Sequence, residues 1–358
     1  MPEKFVVLAI DGGGIRGLIP AQVLARCEAL LKKMCPDRCR ISDHFDLVAG
    51  TSTGGILACG LLVPDDFDKA DQDEGDASDD DDSIERSEYT ANELVNLYMT
   101  YGPSIFESKM FDKLRSGGGW LDQKYLSPPI EAVLEEYFGN LRLSELVKPC
   151  LITGYDLSRR KAHFFRQHSA KKKDSNDFLV RDVCRATSAA PTFFEPAYIE
   201  SIAEIGFPLV DGGVFANNPA LCAIAEAMNR FHRKIKDIHV LSLGTGSFTQ
   251  SYDHILANDW GTGQWILPLI DILMSSAAET ADFQVRQLFE SVERSENYLR
   301  IDTSFNADNR LHPSCDLDDA REENLQLLKK FGRELADENE EDLERFLQQI
   351  VGEERSQD

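Results

Sequence analysis

The sequence predicts an α/β protein built on a mainly parallel sheet with helices on both faces. Apolar runs of strand length recur along the chain and are apolar throughout rather than alternating, the pattern of strands buried on both sides. Helical segments separate them, as parallel pairing requires. Two of these runs end in small-residue turns, Asp11-Gly-Gly-Gly and Gly50-Thr-Ser-Thr-Gly-Gly, each leading straight into a helix.

Phe5 to Ile10 is the first strand and Leu18 to Met34 the first helix, stopped near Pro36. Phe45 to Ala49 is the second strand, and Ile56 to Leu62 reads as a buried helix after it. Asp65 to Asp82 carries eleven acidic residues against the single base Lys69, so it is expected to be a solvated, disordered insertion. Helical patterns resume at Thr90 to Tyr101 and Lys124 to Phe138, around a flexible loop at Ser116 to Asp122. Strands are expected at Pro149 to Tyr155, Lys161 to Arg166, Phe207 to Val210, Ile238 to Leu243 and Tyr298 to Ile301, with helices at Phe178 to Ser188 and Pro219 to Phe231. Trp260 to Met274 reads first as a buried helix and second as a membrane-touching lid, because two Trp residues flank apolar ones around Pro268. Leu317 to Gly332 and Asn339 to Val351 read as charged surface helices. The expected division is one domain over residues 1–310, with an acidic helical extension, 311–358, packed on it.

Composition narrows the function. The 358 residues carry a net charge of -24. Such acidity opposes binding to nucleic-acid polymers or to strongly anionic membranes, so membrane contact would have to be apolar or zwitterionic. The N-terminal MPEKFVVLAIDGGG lacks the basic region and cleavage site of a signal peptide and reads as a core strand. Several of the eight cysteines fall in apolar stretches, which suits reduced thiols in a cytoplasm. Cys35 and Cys39 have the spacing of a metal hairpin, but no second Cys or His pair follows, and no metal or cofactor is expected. The expected location is cytoplasmic, with transient peripheral membrane association.

Three motifs carry chemistry. Gly50-Thr51-Ser52-Thr53-Gly54 matches the nucleophile elbow, with Gly50 and Gly54 allowing strand and helix to approach around Ser52. The run Ile10 to Leu18 supplies an anion nest from Gly12, Gly13 and Gly14 with Arg16 beside it; the N–H groups of Gly13 and Gly14 are the expected oxyanion donors, worth on the order of 3 kcal/mol each. The same run fits a dinucleotide fingerprint at Gly12, Gly14 and Gly17. That reading needs an acid at a strand end about 20 residues on, whereas Asp37 sits in a Cys- and Pro-punctuated loop. Third, Asp211 ends a strand before Gly212-Gly213, and is expected on the same edge of a parallel sheet as the other two. None of the seven histidines occupies a position that marks it as a triad base. A Ser52–Asp211 dyad explains the chain without one, and requires that burial raise the Asp211 pKa.

With these residues in place the chain resembles the patatin-like phospholipases, through DGGGIRG (Asp11 to Gly17), GTSTGG (Gly50 to Gly55), ATSAAPTFFEP (Ala186 to Pro196) and DGG (Asp211 to Gly213), over roughly Phe5 to Gly246. The resemblance implies a three-layer α/β/α fold and a catalytic dyad of Ser52 and Asp211. It also implies an oxyanion hole of Gly12, Gly13, Gly14 and Arg16, and release of fatty acid from phospholipids or galactolipids at a membrane surface. It implies no cofactor, and it puts Ala186 to Pro196 beside the dyad. The acidic insertion departs from the family pattern. The resemblance permits, without requiring them, homo-oligomers and an antiviral effector switched on by a cyclic nucleotide, although the C-terminal part contains no nucleotide motif. The rival class is a silent lipid-binding or scaffold protein on the same fold, which the intact set of Ser52, Asp211 and Arg16 disfavours.

Overall fold

The computed structural model describes residues 4–65, 87–106, 128–248, 252, 254–306, 311–314 and 316–351. Apart from Asp65, the expected acidic insertion lies outside these residues, as does the loop at Ser116 to Asp122.

Strand β1 (Phe5–Ile10) occupies the middle of the sheet because every one of its side chains is apolar and buried. Val6, Leu8 and Ile10 enter one apolar core, and Phe5, Val7 and Ala9 enter another on the opposite face. This two-sided burial is the period-2 consequence of the pleat. Around β1 run β2 (Leu47–Gly50), β3 (Cys150–Asp156), β7 (Ile238–Leu243) and β9 (Tyr298–Ile301), all parallel, in the order β3-β2-β1-β7-β9. The first face is covered by α1 (Leu18–Met34), α3 (Thr53–Gly60), α4 (Ala91–Ile105), α5 (Pro128–Phe138) and α7 (Val180–Thr187). Short α2 (Ile41–His44) and α6 (Gln167–Ala170) serve as connectors. The second face is covered by α9 (Ala220–Arg230) and part of α11 (Thr262–Ser291), with short α8 (Gly213–Ala216) and α10 (His254–Ala257) before them. The three-layer α/β/α expectation is met.

Three differences from the sequence reading matter. First, the sheet is mixed. Strand β4 (Lys161–Arg166) and β6 (Gly206–Asp211) both run antiparallel to β3, and β5 (Ala197–Glu200), which the sequence reading missed, pairs antiparallel with β6. Asp211 therefore does not stand at the C-terminal edge of a parallel strand. Strand β2 pairs with the first half of β3 (Gly50 opposite Ile152), and β6 pairs with the second half (Gly154 opposite Asp211). The two strands meet nearly head-on, with one β3 residue, Thr153, between the positions their ends face, a spacing of about 7 Å. Convergence of Asp211 on the elbow comes from this collision.

Second, Trp260 to Met274 is not a buried helix. It forms the start of the 30-residue α11, on which Trp265, Leu269, Ile272 and Leu273 are exposed. Third, the helix expected from Leu317 begins only at Glu322. Leu317 is held out of it because its carbonyl accepts from the Ile15 N–H at 2.9 Å, tying the C-terminal segment to the glycine turn. Helices α12 (Glu322–Glu338) and α13 (Glu340–Val351) then pack on α1, with Leu325, Leu328, Leu343 and Leu347 buried. Strands β8 (Ser247–Phe248) and β10 (Ser304–Phe305) make a small separate pair.

Candidate active site

Ser52 sits between β2 and α3 at φ 55°, ψ −125°. A non-glycine residue tolerates such a backbone only where its surroundings enforce it, at a cost on the order of 1–3 kcal/mol. Here close packing enforces it. A Cβ at Gly54 would lie 2.2 Å from the Ile10 carbonyl oxygen, and one at Gly50 would lie 2.2 Å from that of Gly54. Strand β1 and the first turn of α3 thus touch backbone to backbone. Gly54→Ala is expected to destabilise the protein by about 1–3 kcal/mol or more in urea unfolding, because no flexible side chain is there to yield.

Further bonds seat the elbow. The Ser52 N–H donates to Thr187 Oγ1 at 2.9 Å, and the Asp211 N–H donates to the Ala189 carbonyl at 3.0 Å. The stretch Ala186 to Pro196 therefore holds both Ser52 and Asp211 by their backbones. Thr51 Oγ1 donates to the Ala216 carbonyl at 2.7 Å and lies 2.8 Å from Thr153 Oγ1, joining the elbow to the turn after Asp211.

Asp211 is 2% exposed. Its Oδ1 accepts from the Gly213 N–H at 2.7 Å, while Oδ2 has no partner of hydrogen-bond geometry among the described residues. Burial pushes the carboxyl up to about 7, against the opposing pull of the Ser52 hydroxyl and the Gly213 N–H. This is the shift a general base working near neutral pH requires. Ser52 and Asp211 open into one apolar cleft, lined among others by Ile56, Leu97, Ile105, Phe193 and Phe194. None of the seven histidines lines it. Burial instead lowers His163 and His239 to about 4 each, which suits neutral core rings.

The glycine turn divides. The Gly12 N–H donates to the Asn217 carbonyl at 3.0 Å, so it is spent on structure and leaves the expected donor set. Gly13 and Gly14 have no partner for their N–H groups among the described residues. Gly14 holds φ +57°, and a Cβ there would strike the Leu317 carbonyl. Sequence reasoning missed the Thr53 N–H, which is likewise unbonded at the start of α3 and borders the cleft. The residue after an elbow serine is a recognised oxyanion donor, a signal that was readable in the motif.

Arg16 goes elsewhere. Its guanidinium lies over the Phe248 ring, 5.1 Å from the centroid, and it lines a separate polar cavity rather than the Ser52 cleft. The structure thus brings Gly14 and Thr53, but not the Arg16 side chain, to the Ser52 cleft.

That cavity reveals a residue the sequence did not single out. Arg300 on β9 grips Asp11 with both nitrogens, at 2.9 and 2.6 Å, and also bonds Ser242 and Asp302. Asp302 and Asp11 push the Arg300 pKa up, despite its burial. Burial pushes Asp11 up to about 7 while Arg300 pulls against it. Since Asp11 begins the glycine turn, the pair anchors the nest to the far edge of the sheet. Arg300→Met would leave a buried carboxylate unpaired, an effect of about 3–5 kcal/mol. Unfolding measured across pH is expected to show the larger loss at pH 8 and a smaller one at pH 5, where Asp11 takes a proton; an equal loss at both would mean the pair acts only by packing.

A serine on a strained strand-to-helix turn, a neutral-leaning buried carboxyl and open N–H groups facing one apolar cleft are the parts of an acyl-transfer site. The comparisons give that class a family. The sequence profile described as "Patatin-like phospholipase" matches residues 8–224. Patatin-like protein 2 of Oryza sativa subsp. indica is 34% identical, covering 94% of this chain and 86% of its own. Patatin-T5 of Solanum tuberosum is 31% identical over 93% and 84%, and Patatin-like protein 2 of Arabidopsis thaliana 32% identical over 92% and 82%. The chain belongs to the patatin-like phospholipase family, and with it to the lipid acyl hydrolases.

Proposed function

We propose that the protein releases fatty acid from glycerophospholipids or galactolipids through an acyl-Ser52 intermediate. The observation that carries this reading is that Ser52, Asp211, Gly14 and Thr53 line one apolar cleft of acyl-chain character, with the N–H groups of Gly14 and Thr53 unbonded among the described residues. Asp211 takes the Ser52 hydroxyl proton as the oxygen attacks the ester carbonyl. The resulting oxyanion is held by the open N–H groups of Gly14 and Thr53, the latter at the head of α3 where the helix dipole adds to it. Collapse expels the alcohol, which receives the proton from Asp211. Water, deprotonated by Asp211, then attacks the acyl-Ser52 ester; the bond to Ser52 Oγ breaks, that oxygen takes the proton back from Asp211, and the fatty acid leaves.

The protein works in a cytoplasm and touches membranes transiently; its buried cysteines, Cys27, Cys59, Cys150 and Cys184, act as core thiols there. Treatment with a fluorophosphonate followed by peptide mass spectrometry is expected to find the adduct on Ser52. Mass spectrometry of products from a mixed phospholipid and galactolipid extract then reads the head group and acyl position. An adduct on another serine, or Ser52 left unlabelled while a control hydrolase reacts, would reject the nucleophile.

A further inference from the structure

Helix α11 has the wrong outer surface for a helix in water. At 100° per residue its inward side carries Met274, Ala281, Val285 and Phe289, all buried. The opposite side carries Trp265, Leu269, Ile272 and Phe283, which are 39%, 48%, 37% and 64% exposed, with Leu273 at 43% beside them. Amphipathic packing puts polar residues there. At its N-terminal end, Tyr252, Trp260 and Trp265 form an edge-to-face chain, with ring centroids 5.7 and 5.1 Å apart. Aromatic rings with a polar tip concentrate where an apolar phase meets water.

The position of this surface ties it to the site. Met274, on the inward side of the same helix, lines the Ser52 cleft and comes against Gly213 of the turn that follows Asp211. The helix that walls the Ser52 cleft with Met274 on its inner side thus carries the apolar residues on its outer side.

Charge identifies the occupant. The chain from Asp237 to Val285 contains no Lys or Arg, and the whole protein carries -24. An anionic surface is repelled, and the phosphate-gripping guanidinium groups of such a docking site are missing. A second copy of this chain is a poor fit as well. Five partly exposed side chains on one helix present a few hundred Å², short of the roughly 800 Å² per partner of a stable protein interface.

We propose that the outward side of α11 over Trp265 to Leu273 docks on an electrically neutral lipid surface and sets the cleft mouth against it. This rests on the lipid-hydrolase reading above, and the test separates the two. The full chain and the double variant Leu269→Glu/Leu273→Glu are compared in vesicle flotation, on pure phosphatidylcholine and on vesicles one-third phosphatidylglycerol. Both are also assayed on phosphatidylcholine vesicles and on a water-soluble short-chain ester. The unmodified protein is expected to float with phosphatidylcholine and less with the anionic vesicles. The variant is expected to lose flotation and vesicle hydrolysis by tenfold or more, yet keep soluble-ester hydrolysis within about twofold.

Unchanged flotation of the variant overturns the proposal, as does stronger binding to the anionic vesicles. A parallel loss on both substrates also overturns it, because α11 would then shape the cleft rather than dock. So does a dimer of the unmodified protein that the variant converts to monomer. Absence of any ester hydrolysis by the unmodified protein defeats the enzymatic reading instead, while flotation still decides the docking.

Discussion

Ser52→Ala is expected to fold as the unmodified protein does and to hydrolyse acyl esters on the order of 10⁴-fold more slowly or worse, with the loss in kcat. The side chain removed is the attacking atom, and the neighbouring threonine hydroxyl, Thr51 Oγ1, is already engaged with Ala216 and Thr153. The backbone bonds that seat the elbow use the Ser52 N–H, not its hydroxyl, so they survive the substitution. Thermal unfolding should therefore barely move. Substantial turnover by the purified variant would remove Ser52 from the mechanism; a collapse of stability would mean that its hydroxyl has a structural role as well.

Asp211→Asn is expected to separate activity from stability in opposite directions. Activity should fall by a similar factor, since an amide takes no proton from Ser52. In the unmodified protein kcat/KM should rise with pH and level off above about 7, where Asp211 ionises. Stability runs the other way. A carboxyl raised from 3.8 to about 7 by folding binds a proton more tightly in the native state than in the unfolded one. Its favourable contribution is complete below pH 3.8 and is lost as pH climbs through 7. The loss amounts to about 4 kcal/mol at most for a shift of roughly three units. Asp211→Asn, which never ionises, should thus be more stable than the unmodified protein at pH 8 and little different at pH 4, measured by urea unfolding at both. A variant that is less stable at pH 8 would contradict the raised pKa.

Much of the site was legible in the sequence because its parts are local. The strand-turn-helix around Ser52 is encoded within a few residues, since only glycine fits where a Cβ on Gly50 or Gly54 would lie 2.2 Å from a backbone carbonyl oxygen. The open donors Gly13 and Gly14 were readable for the same reason. The position of the Arg16 guanidinium over Phe248 was not legible, because proximity along the chain says nothing about where a long side chain leads. The loss of the Gly12 N–H to Asn217 was equally invisible, since that partner is 205 residues away. Trp260 to Met274 reads first as a buried helix because a run of apolar residues around Pro268 does not say which of its sides meets a core, a pattern that a core helix and a lipid-facing one share.

The sequence by itself determined the layered α/β fold and the family and singled out Ser52 and Asp211 as candidates, because each is written in short-range patterns of apolar runs, glycines and one acid. Only the tertiary structure decided how Asp211 reaches Ser52. Strand β6 pairs antiparallel with the second half of β3 and meets β2 end to end, an arrangement set by hydrogen bonding between strands far apart in the chain. It alone also decided that Arg300, 289 residues from Asp11, anchors the glycine turn. Such a long-range ion pair is a product of packing, and no local pattern in the chain encodes it.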